Sequence, residues 1–224
     1  TGTFRNSVER EHNNLLILRK GSIRVGVLNY TYGTNGLKAA KPTIVNYIDT
    51  ESMRLDIEKS KLENLDQLIV ITHWGLEYQT SPNKSQIKVA EFLLDNGADM
   101  VIGGHPHVIQ KAIWRKEKNQ LVAYSLGNFV SNQASVNTDG GMMLELTLVK
   151  NDGHTELKKP GYHLIWVHKP NVNGKKIYEI IPCNLYEKDT TIMNATNNSR
   201  MNLFIKNARK IMSQNENIPE IQLR

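Results

Sequence analysis

The chain has a single cysteine, Cys183, in 224 residues. That excludes an intrachain disulfide and a cysteine-based zinc cluster. No apolar run approaches the roughly 20 residues needed to span a bilayer, and the start carries no signal-peptide pattern. The sequence opens Thr1-Gly2-Thr3-Phe4 without a methionine, so an upstream segment, removed or lying outside this sequence, is expected. Internal repeats and low-complexity tracts are missing, and no element interleaves basic and aromatic residues as nucleic-acid binders do. No Gly-x-Ser-x-Gly elbow is present, which leaves Thr34 and Ser125 poor candidates for a covalent nucleophile. The remainder is ordinary for a folded protein, at 39% hydrophobic and 22% charged residues. The length suits one large domain or a domain with an appendage. A net charge of +6 favours an anionic partner, although the lysines are scattered and plain solvation accounts for most of the excess.

Periodicity divides the chain into two halves. Leu15 to Leu18 and Ile23 to Leu28 flank Gly21-Ser22 and predict a β-hairpin. Met53, Ile57 and Leu62 lie near helical spacing between Glu51 and Leu65, with acidic residues early and lysines late, as the helix dipole prefers. The apolar run Leu68 to Thr72 predicts a strand. A helix over Asn83 to Asn96 follows, stopped by Gly97, and then a second strand at Met100 to Ile102. Strand, helix, strand in this order predicts a right-handed parallel βαβ unit. From Lys111 onward the pattern turns antiparallel, with strands at Ala112 to Trp114, Leu121 to Tyr124, Met142 to Val149, His163 to Val167 and Ile177 to Ile181. Asn173-Gly174 marks a hairpin turn. Met201, Phe204, Ile205, Ala208 and Ile211 then predict an amphipathic helix in the tail, from about Asn198 to Met212.

The chemistry concentrates where strands end. Gly103-Gly104-His105-Pro106-His107 follows one strand and His73-Trp74-Gly75 follows the other. In open α/β sheets ligands bind at that carboxyl edge. Neutral imidazole is a common metal ligand, and Pro106 excludes helix, so His105 and His107 are expected on extended backbone with both rings on one side. His73, His105 and His107 are therefore candidate metal ligands. A two-metal hydrolytic centre also needs hard oxygen donors. Glu77 is a candidate to orient a ligand imidazole by hydrogen bonding, or it is simply a solvated loop carboxylate. Asp99 reads as a helix-to-strand turn residue. Tyr30, Tyr32, Thr34 and Asn35, together with Ser125 and Asn128, could contact substrate from two further strand ends, or could stabilise turns. Trp74 could stack on substrate or pack in the core.

Five ordered segments carry a resemblance: Thr1 to Arg5, Tyr30 to Gly36, His73-Trp74-Gly75-Leu76-Glu77-Tyr78, Gly104-His105-Pro106-His107-Val108, and Tyr124-Ser125-Leu126-Gly127-Asn128-Phe129. Together they resemble the bacterial capsule-synthesis family associated with poly-γ-glutamate capsules, whose fold is similar to that of the calcineurin-like metallophosphoesterases. The match runs from the first residue to about Gly141. It implies an α/β fold, a layered α/β/β/α sandwich that is partial here, with a mixed βαβ half and an antiparallel half. It divides the chain into residues 1–150, the C-terminal portion of that domain, and residues 151–224, which complete it or are appended to it. It further implies two divalent ions (Mn, Zn, Fe or Mg), with His73 and His105 on one and His107 on the other, and phosphoesterase-like hydrolysis in the full-length protein. The alternative is a non-catalytic polymer-binding or assembly component. Expected partners are an anionic polymer or phosphoester and other capsule-synthesis membrane proteins, with no nucleic acid, at the cell envelope. Upstream of His73 there is no Asp-x-His, Gly-Asp or Gly-Asn-His motif. The chain is accordingly expected to be the C-terminal portion of a longer protein whose missing part supplies the carboxylates.

Overall fold

A computed structural model describes residues 2–214 and 217–223; Thr1, which opens the first matched segment, lies outside the described residues. In chain order the main elements are α1 (Ser7–Asn13), β1 (Leu16–Lys20), β2 (Ile23–Thr31), α2 (Thr50–Ser60), β3 (Gln67–His73), α3 (Lys84–Asn96), β4 (Met100–Gly104), β5 (Ala112–Arg115) and β6 (Gln120–Ala123). Then come β7 (Gly140–Asn151), β8 (His154–His168), β9 (Glu179–Pro182), α4 (Cys183–Tyr186) and α5 (Ala195–Met212). Two short ribbons pair Thr3–Phe4 with Ile44–Val45 and Asn171–Val172 with Lys175–Lys176.

The first six strands form one mixed sheet in the order β1-β2-β3-β4-β6-β5. Strands β2, β3, β4 and β6 run parallel, and the hairpin strands β1 and β5 close the edges antiparallel. Helices α2 and α3 cover one face, burying Met53, Ile57, Ala90 and Leu93 against Leu28, Val70, Val101 and Val122. The other face, through Met100, Leu121 and Ala123, shares a core with Leu157, Leu164 and Trp166 of β8 and with Met201, Phe204 and Ile205 of α5. Strands β9-β8-β7 form a separate antiparallel sheet. The fold is thus mixed α/β with the layered arrangement that the resemblance implies. Residues before and after position 150 contribute to the same core.

Local signals explain most element limits. Asn83 caps α3 in a reciprocal box with Gln86, and Gly97 at φ 118° ends it, a left-handed position that glycine occupies without strain. Helix α2 is shorter than its periodicity predicts. It stops at Ser60, and a 3-10 turn over Lys61–Glu63 ends at Asn64 with φ 49°. Strand β8 is three times longer than the apolar run His163 to Val167. Its polar first half is recruited by pairing with β7 through the two-residue turn Asp152-Gly153, with φ 48° and 81°, the geometry of a type I′ hairpin. The spacing Asp152-x-His154 is therefore a hairpin turn. Helix α1 has no counterpart in the sequence reading. It buries no residue of its own, and Arg10 ties it to Asp56 of α2 at 2.6 Å.

Candidate functional site

Parallel register assembles the cleft. Thr31 of β2 pairs with His73 of β3, and His73 pairs with Gly104 of β4, so the residues that leave these three strands emerge side by side. Two loop hydrogen bonds keep them there: Tyr32 N donates to His73 O at 2.8 Å and Trp74 N to Gly104 O at 3.1 Å. The ring of His105 lies 4.7 Å from that of His73 and 4.5 Å from that of Tyr32. Tyr32 also stacks on His73 at 5.8 Å with an interplanar angle of 11°. His107 is 6.2 Å from His105, and Tyr78 stacks on His107 at 6.1 Å.

The backbone of this segment is not extended. His105 has φ 99° and His107 φ 61°, which corrects the expected strand-like alternation. Pro106 does exclude helix, but the chain turns through left-handed conformations on both sides of it. Tyr78 and Asn35, both beside the cleft, also have positive φ, at 65° and 52°. Each such conformation costs on the order of 1–3 kcal/mol outside glycine and persists only where the surroundings enforce it. Enforcement is visible here: Tyr78 N donates to Pro106 O at 2.8 Å, and His107 Nδ1 is held by Asn128 Oδ1 at 2.9 Å. The Asn128 amide in turn donates to Thr138 O at 2.8 Å and to Gln133 Oε1 at 3.3 Å.

Electrostatics favours neutral rings at His73 and His105. Desolvation lowers the His73 pKa, and the neighbouring His105 and His107 add to the effect. Desolvation also lowers that of His105, opposed by Glu77. Neutral imidazole presents a free nitrogen lone pair to a metal or a donor proton to an anion. The carboxylate of Glu77 stands 3.9 Å from His107 Nε2, an ion-pair distance and too long for a hydrogen bond. Among the described residues no group of three or more His, Cys, Asp or Glu side chains converges closely enough to hold a metal. The donor chemistry suits a divalent ion, and the oxygen ligands that would complete its shell are not among these side chains.

Several sequence candidates lie elsewhere. Tyr30 is fully buried, and its hydroxyl donates to Asp56 Oδ2 at 2.7 Å, on the helix-covered face with α2. Alternation alone would put Tyr32, two residues on, on the same face; the difference arises because the strand ends at Thr31. Trp74 is 2% exposed, with its indole N–H donating to Tyr124 O at 2.8 Å, so it packs in the core instead of stacking on substrate. Ser125 is fully buried, and its hydroxyl oxygen accepts from Gly127 N at 3.3 Å. Thr34 donates to the Leu37 carbonyl within its own loop. Asn35 accepts from the Tyr32 hydroxyl at 2.9 Å, so these two remain at the cleft. Asp99 sits at the opposite end of the sheet, where its carboxylate accepts from Leu68 N at 2.6 Å. Sequence reasoning missed Tyr78 and Gln133. Tyr78 falls inside a matched segment, and no sequence signal marks Gln133.

A family model described as bacterial capsule synthesis protein PGA_cap matches residues 1–133. The capsule biosynthesis protein CapA of Bacillus anthracis is 33% identical over 127 residues, 57% of this chain and 25% of that protein. The PGA biosynthesis protein CapA of Bacillus subtilis (strain 168) is 36% identical over 89 residues, 40% of this chain and 23% of that protein. The matched part of the chain thus spans about a quarter of the length of these relatives. Among solved structures, the calcineurin-like phosphoesterase YfkN from Bacillus subtilis is 17% identical with a TM-score of 0.41, covering 88% of this chain and 57% of that one. A 5'-nucleotidase structure from Staphylococcus aureus is 13% identical with a TM-score of 0.42, covering 92% of this chain and 36% of that one. Likeness at these scores has no bearing on function.

Proposed function

Since the chain belongs to the bacterial capsule synthesis family, we propose that its cleft is the imidazole side of a divalent-metal centre acting on an anionic capsule polymer or its phosphoester precursors. The observation that carries this is the packing of His73 against His105 at 4.7 Å, with His107 alongside and oriented through Nδ1 by Asn128. His73 and His105 would hold one ion and His107 the other; the metal is Mn, Zn, Fe or Mg. The chemistry such ions supply is polarisation of a bound ester and activation of water at neutral pH. The protein's own residues orient and exclude. Asn128 fixes which nitrogen of His107 faces the cleft, Glu77 stands near the same ring, and Tyr32 and Asn35 offer polar contacts to substrate.

The relatives are named as capsule and PGA biosynthesis proteins, which supports a poly-γ-glutamate-like polymer, work at the cell envelope and partnership with other capsule-synthesis membrane proteins. Among the described residues no helix is long and apolar enough to cross a membrane. A second reading is a polymer-binding component without turnover; among the described residues no carboxylate joins the three histidines closely enough to complete a metal shell.

Metal content and phosphoester hydrolysis of the intact protein decide between the two. His105→Ala should abolish both, and Asn128→Ala should weaken metal binding about 10–100-fold. Metal content unchanged in His105→Ala would sink the metal-centre assignment. Salt-sensitive binding of poly-γ-glutamate without metal or turnover would establish the second reading.

A further inference from the structure

Residues 129–139, the later part of the connection from β6 to β7, follow Asn128 and are held by cations from the far end of the chain. Lys169 donates to the Gln133 carbonyl, Lys176 Nζ to Asn132 Oδ1 at 3.0 Å, and Arg200 to the Ala134 carbonyl and to Asp139 Oδ2 at 2.8 Å. Together with Trp166 and Asn197 the three cations line a cavity of about 180 Å³. Its charge does not balance, because three cations face one carboxylate, that of Asp139.

The lining leaves lysine donors free for an anionic acceptor. Asn197 stands in the first turn of the 18-residue helix α5, which has no acidic side chain in that turn; its N–H is capped by Asn194 Oδ1 at 2.9 Å, and the positive end of the helix adds to the basic character of the cavity. Each lysine ammonium carries three donors, and its bond to the loop uses one.

We propose that this cavity is an oxyanion subsite, taking a carboxylate or a phosphate, and that it grips a second acidic group of the anionic polymer that enters the histidine cleft. The second clause rests on the function proposed above, whereas the oxyanion subsite does not. The two places are joined through one residue. The backbone of Gln133 accepts from Lys169 while its side chain accepts from Asn128, the residue that holds His107. Burial lowers the Lys169 pKa, with Arg200 and Lys176 adding to the effect and Asp139 opposing it, so a bound anion would relieve a cation that is now poorly solvated.

Calorimetric titration of the 224-residue chain with inorganic phosphate and with poly-γ-glutamate tests the proposal. The Lys169→Gln/Lys176→Gln variant should bind both anions about tenfold more weakly and show a shallower salt dependence. Lys176→Gln alone, at an exposed position, should lose a smaller factor with the fold intact by circular dichroism. Lys176→Gln should keep the wild-type metal content while it loses anion affinity, which separates failure of the metal centre from failure of the subsite. Equal binding by wild type and the double variant, or no binding of either anion by wild type, overturns the subsite. Phosphate binding without polymer binding overturns the grip on polymer.

Discussion

Replacing Gly103 by alanine would place a Cβ 2.8 Å from the Tyr124 carbonyl carbon and closer still to Tyr124 O and Trp74 Nε1. Those last two atoms share a buried hydrogen bond, so the methyl group cannot be admitted without prising them apart. Overpacking a well-filled site costs about 1–3 kcal/mol, and leaving a buried indole donor unpaired costs about 1–3 kcal/mol more. The sum is about 4 kcal/mol, or a fall in Tm of about 8–16 °C for a chain of this size. Gly104, the next residue, is the internal control: a Cβ there meets nothing within 4 Å and its φ is not in the left-handed region. Gly104→Ala should change stability by less than about 0.5 kcal/mol. Urea denaturation followed by circular dichroism measures both. A Gly103→Ala protein within about 0.5 kcal/mol of wild type would refute the packing argument for the whole strand end. Trp74 follows His73 and Gly103 precedes His105 by two residues, so the same substitution should also weaken any ligand that the two rings share.

Burial raises the Asp99 carboxyl from 3.8 to about 6, against the lowering effect of its hydrogen bond from Leu68 N. A raised acid binds its proton more tightly when folded, so it removes stability as pH rises from about 4 to about 6 and nothing further above that, up to about 3 kcal/mol in all. Asp99→Asn should therefore be more stable than wild type at pH 7 and lack that slope; parallel stability curves for the two proteins would rule this out. Tyr30→Phe should cost about 1 kcal/mol, through loss of the hydrogen bond to Asp56, and leave metal and anion binding unaltered. Weakened binding in that variant would return Tyr30 to the cleft.

The parts legible in the sequence were those set by neighbours in the chain. The β3-α3-β4 unit follows from the β-branched run Leu68 to Thr72, the cap at Asn83 and the stop at Gly97, and it delivers His73 and His105 to one sheet edge. The Asn173-Gly174 turn, with φ 51° and 77°, was legible for the same reason. Asp152-Gly153 was an equally strong signal, and it would have revealed the full length of β8.

The sequence alone determined that histidines would gather at the carboxyl edge of a parallel βαβ unit, because periodicity, caps and turn residues act over four or five positions. Only the tertiary structure decided which side chains face the cleft. Tyr30 bonds across 26 residues to Asp56, Trp74 across 50 to Tyr124, and His107 across 21 to Asn128. Helix α1 is tied through Arg10 to Asp56, 46 residues away, and the left-handed turns at His105 and His107 are held by contacts from other loops. These outcomes depend on strand register and on long-range hydrogen bonds, whose partners no local pattern specifies.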